Sequence, residues 1–439
     1  MRVVRLVAVL VVGVASLGGW APAGAAPAHV DWTRFQASPN DQGFNPFERT
    51  VTASNVRFLS LKYIAVMDPL RESLIDKSAP AVVGDVAYIG SYDGNLYAFP
   101  ATGCGAAQCQ PLWKGHTANS IFSSPAVAGG VVYVGSSDHK LYAFPQGGCG
   151  QAMCAPLWTG ATAQGILSSA PVVAGGLVLV GSFDGRLYAF PQGGCGQATC
   201  SPVWVGITGN DHVTSSPAVA GGVAYVTAYD DLSSLGNLEA FALTGCGQTA
   251  CSPAWTAPLS GGVIDAGPAV ANGFVYVASF LDGRLNVFGA NGCGQTTCGP
   301  LWTAPGENYA DATPAVARGV VYLTGGDGTL FAYAAGGCGQ SECQPLWTGF
   351  AGGTQAAYVS PPIVAGGVVY TTKNNAHVFA WRASGCNRAT CSPLWSAQTE
   401  GQIVSAGPVM VNGRLYVGSE RAASPVDQGR LYVYTINGQ

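Results

Sequence analysis

Cysteine pairs with four residues between them recur seven times in this sequence, and they are the first residues whose type and spacing could do chemistry. The pairs are Cys104 with Cys109, Cys149 with Cys154, Cys195 with Cys200, Cys246 with Cys251, Cys293 with Cys298, Cys338 with Cys343, and Cys386 with Cys391. Together they use all 14 cysteines. Zinc needs four ligands, each pair offers two, and His116, His139, His212 and His377 do not recur in register with them. Thiol redox chemistry prefers Cys-x-x-Cys at one special site, not seven copies. A disulfide across a short hairpin is geometrically reasonable, and the chain-entropy gain for so small a loop is roughly 2 kcal/mol. The pairs are therefore read as structural disulfides, which implies an oxidising compartment.

The other candidates are polar residues at irregular positions. Asp265 and Asp311 both stand three residues before a recurrent proline and form a candidate calcium pair. Lys77 holds the same position in another repeat. His116, Asp211, His212, Glu307 and Tyr358 lie in the same set of loops, and these eight residues are the candidate ligand-binding set. Each also reads simply as a solvated loop residue or a cap on a strand end. No catalytic set emerges. Ser215 and Ser216 lie close to His212, but Ser-Ser-Pro recurs at 123–125, which argues against a triad. The glycines fall at repeat turns, so no phosphate-binding loop stands out.

What must position these residues is the repeat. A tryptophan follows each cysteine pair at a fixed offset: Trp113, Trp158, Trp204, Trp255, Trp302, Trp347 and Trp395. The period of roughly 45 to 50 residues is that of propeller blades, WD40-like repeats included. The unit `SSPAVAGGVVYVGSSDHKLYAFPQGGCGQAMCAPLWTG` divides into four short strand segments with alternating Val, Tyr, Leu and Phe. Asp-Gly at 93–94, 184–185, 282–283 and 327–328 supplies the second hairpin turn. The proline element occurs eight times, at Pro80, Pro125, Pro171, Pro217, Pro268, Pro314, Pro362 and Pro408. The eighth unit has no cysteine hairpin and no fourth strand. Residues 57–65, `RFLSLKYIA`, carry Tyr63 where the repeats carry tryptophan, and are expected to complete the last blade and close the ring. The chain is thus expected to be all-β: an eight-bladed β-propeller with four antiparallel strands per blade. Blades are expected to start near residues 78, 123, 168, 215, 266, 312, 360 and 406. Residues 57–439 then form one propeller domain, with 26–56 an N-terminal extension packing on it.

Composition agrees. Charged residues make up 10% of the chain and Gly totals 62, which suits short strands and tight turns better than helices or disorder. The net charge of −4 has no basic cluster, so nucleic acid is not an expected partner. Residues 1–25 read as a signal peptide: Arg2 and Arg5 precede an apolar run from Leu6 to Leu17, and Ala23-Gly24-Ala25 fits a cleavage site. The run is too short and Gly-rich for a comfortable span, and no cysteine follows it as a lipid attachment point. A secreted or extracytoplasmic, soluble monomer without membrane insertion is expected.

The repeated `VVYVGSSDHKLYAF` followed by `LW`, together with the opening `DWTRFQASPNDQGFNPFERTVTASNVRFLSLKY`, resembles the pyrroloquinoline-quinone-like (quinoprotein-type) eight-bladed propellers over essentially the whole mature chain. In its dehydrogenases that resemblance implies the quinone and a calcium ion held by acidic and amide side chains, and in alcohol-oxidising members a vicinal disulfide. This sequence has no Cys-Cys dipeptide and lacks long blade insertions, the largest being Asp230 to Asn237. The reading is an exported, non-catalytic scaffold binding a protein or a small polar ligand at the tunnel face, without a cofactor. The alternative is a secreted quinone- and calcium-dependent dehydrogenase of alcohols or sugars.

Overall fold

Val, Tyr, Leu and Phe alternate along each strand segment because every blade is a sheet packed between two others, with both faces covered. The structure, a computed structural model, describes residues 30–68, 75, 77–231, 235–259, 261–307, 312–350, 360–403, 407–419 and 429–439. The described residues form eight sheets in a ring, an eight-bladed β-propeller. In blade 1 the strands Ala81–Val83, Val86–Gly90, Asn95–Pro100 and Trp113–His116 run antiparallel from the centre outward, and the other blades repeat the pattern. Tyrosines of the second strands tie blades together: Tyr88, Tyr133 and Tyr225 donate their hydroxyls to Gln146 O, Gln192 O and Ala290 O of the next blade at 2.7 Å.

The ring closes through its N-terminal side. Leu59–Val66 pairs antiparallel with Arg430–Ile436 and supplies the outer strand of blade 8. Tyr63 is 2% exposed and occupies the tryptophan position, its hydroxyl donating to Pro100 O and Ala101 O at 2.8 and 2.9 Å.

All fourteen cysteines are joined within their own hairpins, each to the partner five residues on. Each hairpin also does something the repeat alone does not reveal. It reaches back and pairs, in parallel, with the outer strand of the preceding blade: Met153–Cys154 with blade 1, Thr199–Cys200 with blade 2, Gln108–Cys109 with blade 8. The expected four strands thereby become five in several sheets. The tryptophan of that outer strand packs under the hairpin. A Cβ on Gly148 would stand 2.7 Å from Trp113 Cδ1, so only a glycine allows this approach. Six of the tryptophans are consequently between 1% and 6% exposed.

The inner strands are sheet edges too, and the chain covers them itself. Residues 32–45 circle inside the ring from blade to blade. Trp32 exchanges backbone hydrogen bonds with Val82. Val127, Val219, Val270, Val316 and Val364 then donate their N–H groups to the carbonyls of Thr33, Pro39, Asn40, Gln42 and Gly43 at 2.6–2.8 Å. Edge groups that would otherwise be buried without partners are satisfied in turn around the ring. At the hub of this girdle Arg34 donates to Ser38 O at 2.6 Å, to Pro171 O and Pro217 O at 3.4 Å, and to the buried carboxylate of Asp41.

Candidate functional site

Two faces result from this topology. The first hairpin turns approach the cysteine hairpins, with Gln146 N–H donating to Gly130 O at 2.9 Å. The loops entering each blade approach the second hairpin turns on the opposite side, with Thr117 N–H donating to Gly94 O at 2.8 Å. That second side is the loop face, and the irregular residues gather there.

Lys77 of blade 1 and Asp265, at the start of blade 5, hold matching positions on opposite sides of an eight-membered ring. Their side chains meet in an ion pair, partly buried at 29% and 13% exposure. Asp265 is therefore engaged by an ammonium group. Its expected calcium co-ligand, Asp311, lies outside the described residues, as does Tyr358. His116 sits exposed at the end of the outer strand of blade 1, 3.1 Å from Asn95 Oδ1. Glu307 is exposed between blades 5 and 6, against Gly325. Neither joins the other candidates. Ser215 and Ser216 bind backbone: Ser215 Oγ donates to Thr227 O at 3.0 Å, and Ser216 Oγ accepts from Ala170 N–H at 3.0 Å.

Asp211 and His212 do come together, with a partner from the Asp230 to Asn237 insertion. His212 is 8% exposed and its ring stacks on Phe183 at 3.7 Å between centroids. Nδ1 lies 2.6 Å from Phe183 O and Nε2 2.8 Å from Asp231 Oδ2. A backbone bridge between His212 and Tyr229, 3.0 Å in both directions, fixes the ring against blade 4. The Asp231 N–H in turn donates to Asp211 Oδ2 at 3.3 Å. The histidine is held on every side and serves to position Asp231.

Beside this cluster a pocket of about 180 Å³ opens between blades 4 and 5. Asp230 and Asp231 stand on one side with Tyr229; Val263, Ile264, Phe280 and Leu281 supply the rest of the wall. Phe280 and Leu281 donate their N–H groups to Gly262 O and Gly261 O at 2.9 and 2.7 Å, which locks the wall of one blade to the turn of the next. The pocket is smaller than the roughly 300–1,000 Å³ of cofactor and drug-sized sites. Reading the sequence by repeat position missed Asp231, Phe280 and Leu281; the `DDLSSLGN` insertion beginning at Asp230 was the available signal.

The resemblance noted above implies a quinone with calcium; of the two expected calcium ligands only Asp265 is among the described residues. Calcium takes six to eight oxygen ligands, whereas Asp265 faces Lys77 and Asp41 faces Arg34. No group of three or more His, Cys, Asp or Glu able to hold a metal occurs among the described residues.

No family model and no curated protein matches the chain. Solved structures do. BamB from Moraxella catarrhalis superposes with a TM-score of 0.60 at 17% identity, covering 86% of this chain and 97% of that one. The quinohemoprotein alcohol dehydrogenase of Comamonas testosteroni gives 0.67 at 15% identity, over 93% of this chain and 81% of that one. A europium-containing methanol dehydrogenase gives 0.62 at 14% identity, over 93% and 98%. At these identities the likeness shows the propeller fold alone.

Proposed function

We propose that the protein is an exported, non-catalytic binding scaffold. Its loop face takes a small organic cation with an apolar body, free or presented as a side chain of a partner protein. The observation that carries this reading is the pocket between blades 4 and 5. There Asp230 and Asp231, from the Asp230 to Asn237 insertion, line the cavity together with Val263, Ile264, Phe280 and Leu281. An amine gains a charge-assisted hydrogen bond at the rim and burial of its body at the wall. The seven disulfides support placement in an oxidising compartment. Among the described residues no helix is long and apolar enough to cross a membrane. Residues 1–29, which carry the export-signal reading, lie outside the described residues.

Calorimetric titration with 2-phenylethylamine tests the proposal. Saturable one-to-one binding is expected, abolished in Phe280→Ala and weakened about tenfold or more in the Asp230→Asn/Asp231→Asn double variant. Equal binding of 2-phenylethanol, or no binding of the amine, would overturn it.

A further inference from the structure

The ring of cysteine hairpins has one gap. Blade 8 is completed by Leu59–Val66 from the N-terminal side, so no cysteine hairpin joins its last two strands. No hairpin is therefore available to reach back to blade 7. Its outer strand, Trp395–Gln398, ends its sheet, and among the described residues nothing pairs with its outer edge.

The seven filled positions show what that edge is built to receive. In each, the residue after the tryptophan or Tyr63 donates its outward N–H to the hairpin. Lys114, Thr159, Val205, Thr256, Thr303, Thr348 and Ile64 donate to Ala152, Ala198, Thr249, Thr296, Ser341, Ala389 and Ala107 at 2.8–2.9 Å. The next residue is small, and the second cysteine lies opposite it: Gly115 with Cys154, Gly160 with Cys200, Gly349 with Cys391, Ala65 with Cys109. Blade 7 keeps every part of this seat, with Ser396 as the outward donor and Ala397 as the small floor. Yet Ala397 is partly exposed where Ala65, Ala257 and Ala304 are fully buried. Trp395 is likewise only half-buried, its Nε1 donating to Leu59 O at 2.9 Å. Next to it Phe58 and Leu61 are 47% and 46% exposed. Edge strands are commonly protected by a charge, a proline or a bulge, and `WSAQ` carries none.

We propose that this edge is a strand-addition site for an extended segment of another polypeptide. The segment runs parallel to Trp395–Gln398, accepts the Ser396 N–H, and seats a small apolar side chain or a disulfide-bonded cysteine on Ala397. Backbone pairing supplies the affinity and the seat supplies the selectivity. Among the described residues a second copy of this chain offers no free hairpin, because each is already paired with its own preceding blade.

A disulfide-closed, fluorescein-labelled peptide of residues 193–202, `GGCGQATCSP`, serves as the probe, read by anisotropy against the full mature chain. Saturable one-to-one binding is expected. Ser396→Pro removes the outward donor at an edge position where proline is tolerated. It should weaken binding roughly tenfold or more while leaving the melting temperature and amine binding unchanged. No binding, or binding indifferent to both Ser396→Pro and Ala397→Arg, would overturn the proposal. So would concentration-dependent dimerisation abolished by Ser396→Pro, which would make a second copy the occupant.

Discussion

Glu239 shows how one residue can break a repeat without forming a site. At its position blades 1 and 3 carry Tyr97 and Tyr188, whose hydroxyls donate to Asp93 and Asp184 at 2.6 Å. In blade 4 a carboxyl stands there, fully buried, with neither oxygen hydrogen-bonded among the described residues. Burial pushes it up from 4.5 to about 8. Between those values the folded chain keeps a proton that the unfolded chain has released, so stability falls as pH rises through that window. Glu239→Gln should therefore make the decline shallower and leave the variant more stable than its parent at pH 8 by roughly 1–3 kcal/mol. Urea unfolding at pH 5 and pH 8 measures this, and an equal decline in both proteins would contradict it. The sequence displayed Glu239 in `LEAF` against `LYAF`, but only burial distinguishes it from a solvated glutamate. The cysteines and tryptophans were legible for the opposite reason: their sevenfold recurrence left a packing role as the economical reading.

At the scale of elements, the hairpin was readable and its destination was not. Four residues between cysteines specify a local disulfide, but the parallel pairing with the preceding blade is made by backbone groups that leave no side-chain signature. Residues 26–56 are expected from the sequence to pack on the propeller, but the path of residues 32–45 along the inner edges leaves no side-chain signature either, since inner-strand N–H groups meet its carbonyls. A pair of glycine substitutions isolates the packing of a hairpin on its neighbour. Gly148 and Gly150 both have left-handed backbone, at φ +73° and +76°. A Cβ on Gly148 collides with Trp113, whereas one on Gly150 meets nothing within 4 Å. Gly150→Ala should cost about 1–2 kcal/mol from backbone strain alone. Gly148→Ala should cost a further 1–3 kcal/mol, approximately the cost of overpacking. Equal losses in chemical denaturation would show that the tryptophan does not seat the hairpin.

For the whole molecule, the eightfold count and the closing strand followed from the sequence because period and strand pattern agreed over the full ring. The pairing of Lys77 with Asp265 did not, because it joins residues 188 apart that meet only once the ring is closed. That pair spans the ring at the loop face, and the Arg34 hub lies inside the ring. On the proposed reading, binding belongs to the pocket between blades 4 and 5 and not to a quinone at the axis. The most direct test is a visible-absorbance titration of the full mature chain with pyrroloquinoline quinone and calcium, followed by desalting. The account expects no retained quinone and no dye reduction with alcohols or sugars. Stoichiometric, calcium-dependent retention with dye reduction would contradict it.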